Sequence, residues 1–417
     1  MKTVHIIGAG PGASRLLTVE AVSAIKDSDC VIGAARLLAS FKDELKDKEC
    51  VTLIAADKII NFIKESDEKT FCILLSGDIG FYSGAKRLID PLNELACYVQ
   101  TYCGISAVVY FASILGISWD DGALLSMHGI VQNNSGAIAE LRAKNKITGF
   151  ASHNKKTFCL TDTKITAQVI CQTLVDCGLG GLYVSVGEKL SYHNERITGG
   201  KAAQLAGNHF DPLSVVYIKN DEPLEMSIKN FNDSDFIRGD VPMTKEEVRI
   251  LSLAKLNLKP DSIIWDVGAG TGAVSCCAAV QSVYGKVYAI EKNCDAVELI
   301  RQNREKHKIH NIEIVEGSAP SALENLPPPD SVFIGGTSGE LENIFDVIRS
   351  KNKAAHIVVN TVTLETLSEI TRLLKKMNIE DAQIRHITAA RSQKTGSYHL
   401  MKAENPVFII NFSFINL

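Results

Sequence analysis

Residues 262–291 read SIIWDVGAGTGAVSCCAAVQSVYGKVYAIE: an apolar run, a glycine-rich turn, a helix-like stretch and a second apolar run. Gly268, Gly270 and Gly272 allow the backbone to turn tightly and to approach a ligand where a Cβ atom would clash. Glu291 ends the second run, where a carboxylate can accept hydrogen bonds from both hydroxyls of a ribose. This order predicts two parallel strands joined by a helix, with a nucleoside site at the turn.

The glycine-rich turn alone leaves several ligands open. It could serve NAD, another nucleotide, or only the close packing of a helix on a sheet. The order G-x-G-x-G after Asp266 differs from the G-x-G-x-x-G order of dehydrogenases, and it favours S-adenosylmethionine. The Gly317–Pro320 turn after the next apolar run supports the same donor, with Ala319 at its adenine.

The alternation of apolar runs and helix-like stretches continues on both sides of this segment. Three further runs downstream and two closing runs near 384–389 and 407–414, together with the two runs of this segment, predict a seven-stranded sheet. A polar, punctuated stretch separates them from an upstream region that predicts a second α/β domain with largely parallel sheets. We expect domains at 1–219 and 242–417 with a linker at 220–241, and the length of 417 residues suits two domains. Upstream strands are expected at 3–8, 30–32, 71–75, 98–102, 157–160, 182–186 and 214–218.

Composition limits the classes of partner. The chain is 46% hydrophobic and 22% charged with a net charge of -4, which is typical of a globular protein without a strong field for nucleic acid or membrane. Glycines interrupt the first apolar run, and no stretch reaches the length of a membrane span, so we expect neither a signal peptide nor a membrane helix. The eleven cysteines lack metal-ligand spacing. We therefore expect a cytoplasmic protein that holds no metal.

Three loops of the first half could contact a ligand. Gly8–Gly12 resembles a dinucleotide loop, but Pro11 has no backbone N–H and the third glycine comes too early, so a structural turn and a ligand-facing loop both remain possible. Asp78 lies beside glycines after a buried strand, where ligands of α/β domains bind. Residues 102–107 open a helix whose free amides could hold polar atoms or form only an N-cap.

Several segments of the second half resemble one family: PMTKEEVR at 242–249, WDVGAGTG at 265–272, YAIE at 288–291, GSAP at 317–320, FIGG at 333–336 and VNTVTLET at 359–366. They resemble the C15-methylating, decarboxylating enzymes that process precorrin-6 in cobalamin biosynthesis, over residues 233–414. One departure is Cys277, where the family often has glutamate. The resemblance implies a Rossmann-like methyltransferase domain that binds S-adenosylmethionine through Thr244, Gly268, Ala269, Gly270, Thr271, Gly272, Glu291 and Ala319.

The first half carries an ordered set of weaker motifs: GAGPG, VIGAARLL, SGDIGFYSGAKRL, CGISA, SMHG, TFCLTD, VGEKLSY and PLSVVYI. In this order they resemble the tetrapyrrole methylases, in particular the C5-methylating precorrin members, over residues 1–219. Ile79 and Ile130 depart from the family pattern, which usually has proline and often arginine there. The resemblance implies two α/β lobes that hold S-adenosylmethionine near Ala9, Asp78, Phe81, Ser106 and Ala107.

Together the two resemblances imply one chain that methylates C5 and C15 of a precorrin-6-type or cobalt-precorrin-6-type tetrapyrrole and removes carbon dioxide from its ring C acetate. Alignment of a nucleophilic ring carbon with the methyl donor could supply much of the catalysis, so no single essential base need be present. No catalytic residue is assigned. The carboxylates of the substrate are expected to meet basic residues, unless these form an ordinary solvated face: Arg238, Lys245, Arg249, Arg391 and Lys394.

Other functions remain open. A nucleic-acid methyltransferase is less favoured because the charge is near neutral and the fourth predicted strand of the second half lacks a D/N-P-P-Y/F motif. A protein that binds S-adenosylmethionine without turnover, and a methyltransferase of another tetrapyrrole, are further alternatives. Relatives of both halves tend to assemble, so we expect a homo-oligomer whose partner is a small tetrapyrrole rather than nucleic acid or a membrane.

Overall fold

The structure is a computed structural model that describes residues 1–128, 136–225, 231–336 and 339–415. It divides into an N-terminal unit, Met1–Gly129, Asn154–Val175 and Gly180–Asp221, and a C-terminal unit, Ile130–His153, Asp176–Leu179 and Glu222–Leu417. The change of unit at 221–222 falls inside the predicted linker. The C-terminal part of the predicted linker is nevertheless packed, because Phe231 and Phe236 contact a hydrophobic cluster of the C-terminal unit.

Strands and helices are numbered in chain order. The strands are β1 Thr3–Gly8, β2 Cys30–Gly33, β3 Glu49–Thr52, β4 Thr70–Leu75, β5 Tyr98–Tyr102, β6 Ala123–Ser126, β7 Lys156–Leu160, β8 Tyr183–Glu188, β9 Arg196–Lys201, β10 Ser214–Lys219, β11 Ile263–Val267, β12 Lys286–Glu291, β13 Ile312–Glu316, β14 Ser331–Ile334, β15 His356–Thr361, β16 Gln383–Ile387, β17 Ala390–Thr395, β18 Tyr398–Ala403 and β19 Val407–Phe412. The helices are α1 Val19–Asp27, α2 Ala35–Ser40, α3 Ala56–Glu65, α4 Lys86–Glu94, α5 Ala107–Leu115, α6 Gly136–His153, α7 Ala167–Asp176, α8 Ala202–Leu205, α9 Glu246–Lys255, α10 Ala273–Gln281, α11 Cys294–Lys306, α12 Leu341–Lys351 and α13 Leu364–Lys376.

The first sheet of the N-terminal unit is fully parallel, in the order β3-β2-β4-β1-β5. Side chains of β1 alternate between two apolar clusters, with Val4 and Ile6 in one and Ile7 in the other. This alternation follows from the two-residue period of a strand, and it buries both faces of the sheet. The parallel α/β prediction is therefore confirmed for this sheet, although the short and largely exposed β3 was not predicted.

The second sheet of the N-terminal unit differs from the prediction. Its order is β6-β7-β10-β8-β9, and only the β6–β7 pair is parallel. Strand β10 runs antiparallel to both β7 and β8, and β9 is antiparallel to β8. Hydrophobic periodicity identifies strands but not the direction in which they pair, which is why the sequence did not reveal this arrangement. The unit has two lobes, one for each sheet, as predicted.

The C-terminal unit is built on a seven-stranded sheet in the order β13-β12-β11-β14-β15-β19-β16. The first five of these strands are parallel, and β19 is antiparallel to both neighbours. The predicted Rossmann-like architecture with two closing strands is confirmed. An exposed hairpin, β17–β18, intervenes between β16 and β19 and was not predicted.

Helix α6 lies in the C-terminal unit, although the sequence placed it in the first domain. The ring of Phe150 stacks on Tyr284 with centroids 4.8 Å apart. Arg142 donates two hydrogen bonds of 2.9 Å to the carboxylate of Asp330. Among the residues with described coordinates, no helix combines the length and apolar character needed to cross a bilayer.

Candidate functional site

The C-terminal unit contains a cavity of about 1160 Å³ at the edge of its sheet where the parallel strands end. Such edges are where α/β proteins bind ligands. Eight of the residues predicted for this unit line it: Thr244, Lys245, Gly268, Ala269, Gly270, Thr271, Glu291 and Ala319. Gly272 lies outside this lining. It forms the N-cap of α10 in a left-handed conformation, with φ 77°, and packs against Ile300.

The glycine-rich turn after β11 is built for close approach of backbone segments. Gly268 and Gly270 have φ values of 74° and 55°, which favour glycine. A Cβ atom at Gly268 would lie 2.8 Å from the backbone nitrogen of Gly336, and one at Gly270 would lie 3.0 Å from the carbonyl oxygen of Pro242. Side chains at these positions would therefore displace neighbouring backbone from the cavity wall.

The carboxylate of Glu291 is held by three backbone amides at the end of β12. Its Oε2 atom accepts a hydrogen bond of 2.9 Å from Gly270, and its Oε1 atom accepts bonds of 2.9 Å from Lys292 and 3.0 Å from Asn293. The residue is buried yet lines the cavity. A carboxylate fixed in this way can accept further hydrogen bonds from a pair of ligand hydroxyls.

Asp266 is a buried acid at the floor of the same cavity. Its Oδ2 atom accepts a hydrogen bond of 2.5 Å from the Ser275 hydroxyl, whereas its Oδ1 atom has no hydrogen-bond partner among the described residues. Burial, with a smaller contribution from the charge of Glu291, raises the pKa of Asp266 to about 7, although hydrogen bonds from Ser275 oppose the shift. A cationic or hydrogen-bond-donating ligand would satisfy the free oxygen.

Arg249 is not placed to bind a substrate. Its side chain is 1% exposed and lies 3.0 Å from an oxygen of Asp233, and it donates hydrogen bonds to the carbonyl oxygens of Thr244 and Phe231. Its guanidinium also lies over the ring of Phe236. These contacts use the charge internally, because a buried arginine requires partners. Arg249 anchors the segment before α9 and is no longer a candidate substrate contact.

The other four predicted basic residues lie in different environments. Arg391 forms ion pairs with Asp233 at 3.0 Å, Glu247 at 2.6 Å and Glu404 at 3.5 Å, so it carries no free charge for a substrate carboxylate. Arg238 and Lys394 are exposed and lie outside the cavity lining, as far as that lining is described. Of the five, only Lys245 lines the cavity.

A second group of lining residues was not predicted. It lies at the ends of β15 and β16 and before β19, and we call it the far group: Thr361, Val362, Ile387, Glu404 and Asn405. The VNTVTLET segment, which resembles the family, contains Thr361 and Val362, but the sequence assigned no role to either residue. Glu404 and Asn405 follow the unpredicted hairpin, so no sequence pattern pointed to them.

The N-terminal unit brings three predicted loops together. A Cβ atom at Gly104 would lie 2.3 Å from the carbonyl oxygen of Gly8 and 2.4 Å from that of Gly77, so these loops meet backbone to backbone. Asp78 joins two of them, because Oδ1 accepts a 2.8 Å bond from Gly80 and Oδ2 a 2.9 Å bond from Gly104.

The other predicted residues surround this junction. Ala9 is buried after β1 and donates its backbone N–H to Leu75 at 2.7 Å. Ser106 caps α5 by accepting a hydrogen bond from Val108 at 3.2 Å. Phe81 and Ala107 pack against one apolar cluster. Gly129 and Ile130 lie outside the residues that the structure describes, so the structure does not test the departure from the family pattern at Ile130.

A further contact in the N-terminal unit links its two lobes at the Gly8–Gly12 turn. A Cβ atom at Gly12 would lie 2.2 Å from the ring of Tyr192, and Ala13 donates its backbone N–H to the Ser191 hydroxyl at 3.0 Å. The hydroxyl of Tyr192 accepts a hydrogen bond from Arg36. These residues come from distant parts of the sequence, so spacing alone could not identify the contact.

The adjacent cysteines Cys276 and Cys277 are not placed for nucleophilic chemistry. Cys276 and Cys277 are buried in a hydrophobic cluster, and burial raises the pKa of both thiols. A buried, protonated thiol is a poor nucleophile. No group of three or more His, Cys, Asp or Glu residues that could hold a metal ion occurs in the portion of the chain with described positions.

The two units match two families of methyltransferase. Residues 235–413 match the family model described as a precorrin methyltransferase domain, and residues 3–206 match that of the tetrapyrrole (corrin/porphyrin) methylases.

Individual relatives match about half of the chain. Over 188 residues the chain is 38% identical to a protein of Sulfurisphaera tokodaii named probable cobalt-precorrin-6B C(15)-methyltransferase (decarboxylating), with 44% of this chain and 97% of that protein covered. The protein of the same name from Sulfolobus acidocaldarius is 39% identical over 189 residues, with 44% and 97% covered. The crystal structure of a precorrin-6y C5,15-methyltransferase from Geobacter metallireducens shares 34% identity and covers 44% of this chain and 98% of its own, with a TM-score of 0.42. The chain belongs to the precorrin methyltransferase family.

Proposed function

We propose that this chain transfers methyl groups from S-adenosylmethionine to C5 and C15 of one precorrin-6-type or cobalt-precorrin-6-type tetrapyrrole, and that its C-terminal unit also removes carbon dioxide from the ring C acetate. The C-terminal unit would act at C15 and the N-terminal unit at C5. The names of the relatives support this assignment for the C-terminal unit.

One observation carries the proposal for the C-terminal unit. Its cavity of about 1160 Å³ exceeds the usual range for a single small ligand, roughly 300–1,000 Å³, and the predicted donor residues line only part of it. The remainder offers room for part of a second molecule. A methyltransferase needs this arrangement because donor and acceptor must be bound side by side.

Residues of the C-terminal unit fit S-adenosylmethionine, which would supply an electrophilic methyl group. Glu291 would accept hydrogen bonds from the ribose hydroxyls, because backbone amides already fix its orientation. Gly268 and Gly270 would allow close approach to the donor, and Ala319 would contact the adenine. The unpaired oxygen of Asp266 could accept a hydrogen bond from the donor's ammonium group.

In the N-terminal unit, the loops around Asp78 and Gly104 would hold the same donor. The donor would be surrounded by Ala9, Phe81, Ser106 and Ala107. Asp78 would hold two loops together, because its carboxylate accepts hydrogen bonds from their backbone amides. Lys245 is the substrate contact that we retain in the C-terminal unit, because it lines the cavity. Arg238 and Lys394 remain candidates only for parts of the substrate that extend beyond the cavity.

The test is mass spectrometry of a precorrin-6-type substrate after incubation with the purified chain and S-adenosylmethionine, with and without cobalt. We expect the mass of two methyl groups to be gained and that of one carbon dioxide to be lost. Donor binding measured by calorimetry serves as the control for a folded protein. Donor binding with an unchanged substrate would contradict the proposal, and methylation of RNA in the same assay would support the nucleic-acid alternative.

We also propose that the chain forms a homo-oligomer in the cytoplasm. The β17–β18 hairpin exposes the side chains of Tyr398, Leu400 and Met401, which are 73%, 57% and 67% accessible. An isolated two-stranded hairpin is marginally stable, and clustered exposed apolar side chains commonly mark an association surface. Light scattering after gel filtration should give a multiple of 45.3 kDa, and L400D should reduce it to one chain. A single-chain mass for the wild type would contradict this part of the proposal.

A further inference from the structure

The sheet topology separates the two ends of the C-terminal cavity. Glu291 ends β12 and Thr361 ends β15, and the order β12-β11-β14-β15 places three strand spacings between them. At about 4.8 Å per spacing, these strand ends lie roughly 14 Å apart. The far group therefore lies away from the ribose-binding carboxylate, on the side left for the acceptor.

The reversed direction of β19 brings Glu404 to this side. Because β19 is antiparallel to β15, it begins at the edge where β15 ends, and Phe408 pairs with Thr361. Glu404 precedes β19 by a short turn and lines the cavity, with 21% of its side chain exposed. A carboxylate thus reaches the acceptor side of the cavity from the loop before β19, the strand next to β15.

Arg391 holds this carboxylate in place. Its Nε atom lies 3.5 Å from Oε1 of Glu404, while the other guanidinium nitrogens contact Asp233 at 3.0 Å and Glu247 at 2.6 Å. The backbone N–H of Glu404 also donates to Ala389 at 2.9 Å. The guanidinium is held by the other two acids, and its Nε–H donates a hydrogen bond of 3.1 Å to Glu247. Arg391 therefore places a fixed positive charge beside Glu404 without a hydrogen bond to it, which leaves the carboxylate oxygens available to a ligand.

The proposed chemistry includes two proton transfers that such a group would assist, even if alignment supplies much of the catalysis. When a ring carbon gains a methyl group, a carbon–carbon bond forms, the sulfur–methyl bond breaks with its electrons on sulfur, and the C–H bond of the ring carbon must release a proton. When the acetate loses carbon dioxide, the electrons of the broken bond pass into the macrocycle and one proton must be added to the methylene carbon. The two steps together neither consume nor release a proton.

We propose that Glu404 is the acid–base residue of the C-terminal unit: it accepts the proton released on methylation of the ring carbon and returns a proton to the methylene carbon on decarboxylation. Arg391 is the residue that positions it. This inference rests on the proposed function of the unit. A positioned acid or base typically contributes about 10²–10⁴-fold to such a step.

The other carboxylates of the cavity are less suited to this role. Asp266 and Glu291 lie at the donor side and are engaged by Ser275 and by backbone amides, respectively. Asp240, Asp295 and Glu298 also line the cavity, but all three are exposed. Asp240 lies two residues before Pro242, whose carbonyl approaches the glycine turn, and Asp295 and Glu298 lie on α11, which follows β12 on the donor side. Glu404 is the acid that combines partial burial, a fixed orientation and a place in the far group.

The test compares E404Q with the wild-type full chain. Glutamine keeps the shape of the side chain but can neither accept nor return a proton. We expect S-adenosylmethionine binding by calorimetry to stay within about twofold, while single-turnover formation of the methylated, decarboxylated product falls by about 10²-fold or more. E404D should recover part of the rate. The exposed Glu380 provides a matched control, because E380Q should behave as wild type.

Two further outcomes separate the possible failures. If E404Q forms the product at the wild-type rate, the inference about Glu404 is wrong although the proposed function stands. If the wild type itself neither methylates nor decarboxylates the substrate, the proposed function fails first. For the positioning role, R391Q should lower the single-turnover rate while donor binding stays unchanged, and R391K should recover part of that rate; a wild-type rate in R391Q would overturn the role.

Discussion

The backbone N–H of Gly270 donates a 2.9 Å hydrogen bond to Oε2 of Glu291, and this bond links the glycine-rich turn to the carboxylate at the end of the neighbouring strand. The two residues thereby fix each other at the wall of the cavity. A ligand that contacts both needs no reorganisation of either, which reduces the free-energy cost of binding.

Replacing Glu291 should therefore weaken donor binding specifically. E291Q keeps one oxygen for the amides but loses the charge and one acceptor, and hydrogen bonds to charged groups contribute about 1.5–3 kcal/mol each. We expect the dissociation constant for S-adenosylmethionine, measured by calorimetry, to rise roughly tenfold to a hundredfold. E380Q is the control, and an unchanged constant in E291Q would contradict the assigned role.

The raised pKa of Asp266 predicts a pH dependence of stability. The folded state favours the protonated acid up to pH about 7, whereas the unfolded chain ionises near 3.8, so the folded state binds the extra proton between these values. The contribution of Asp266 to stability without ligand should be greatest below pH 4, decline as pH rises towards 7 and then level off. The full difference corresponds to about 4 kcal/mol.

D266N should remove this decline, because asparagine does not ionise. Urea unfolding of wild type and variant at several pH values measures the effect, and the variant should become the more stable of the two as pH rises to 7. The exposed Asp346 on α12 provides the control D346N, which should follow the wild-type curve. Parallel wild-type and D266N curves would show that Asp266 stays ionised in the folded chain.

Arg249 should matter for folding rather than for substrate affinity. R249M removes the ion pair with Asp233 and two bonds to backbone carbonyls, and loss of one partner of a buried pair typically costs about 3–5 kcal/mol. The midpoint of thermal unfolding should fall accordingly. R238A, at an exposed position, should change stability by less than about 0.5 kcal/mol. A wild-type midpoint with weakened substrate binding in R249M would restore the original interpretation.

Asp78 offers a test confined to the N-terminal unit. D78N retains one acceptor oxygen and loses one of the two bonds to Gly80 and Gly104, at a cost of about 1–3 kcal/mol for an unsatisfied amide. Methyl transfer to C5 should fall while methylation and decarboxylation at C15 continue, as measured by product mass. The exposed Asp43 gives the control D43N. Equal loss at both positions would argue against separate sites.

Much of the fold was predictable because its signals are local. The apolar run 262–267, the glycines that follow it and Glu291 occur within one strand-turn-helix-strand stretch, and the structure forms this stretch as expected, except that Gly272 packs against Ile300 and lies outside the cavity lining. The short β3 and the Gly-containing β9 escaped prediction because neither forms an apolar run. The direction of β10 also escaped, because hydrophobic periodicity does not encode pairing partners.

The sequence by itself determined that the chain has two α/β units, the order of their motifs, and the glycine turn and Glu291 at the wall of the C-terminal cavity, because residues close in the chain build these features. Only the tertiary structure decided which of the predicted basic side chains form ion pairs within the chain. Arg249 and Arg391 look like substrate contacts in the sequence, yet acids from distant segments neutralise them. The antiparallel β19 likewise brings Glu404 to the cavity, because strand direction is set by the packing of the whole sheet.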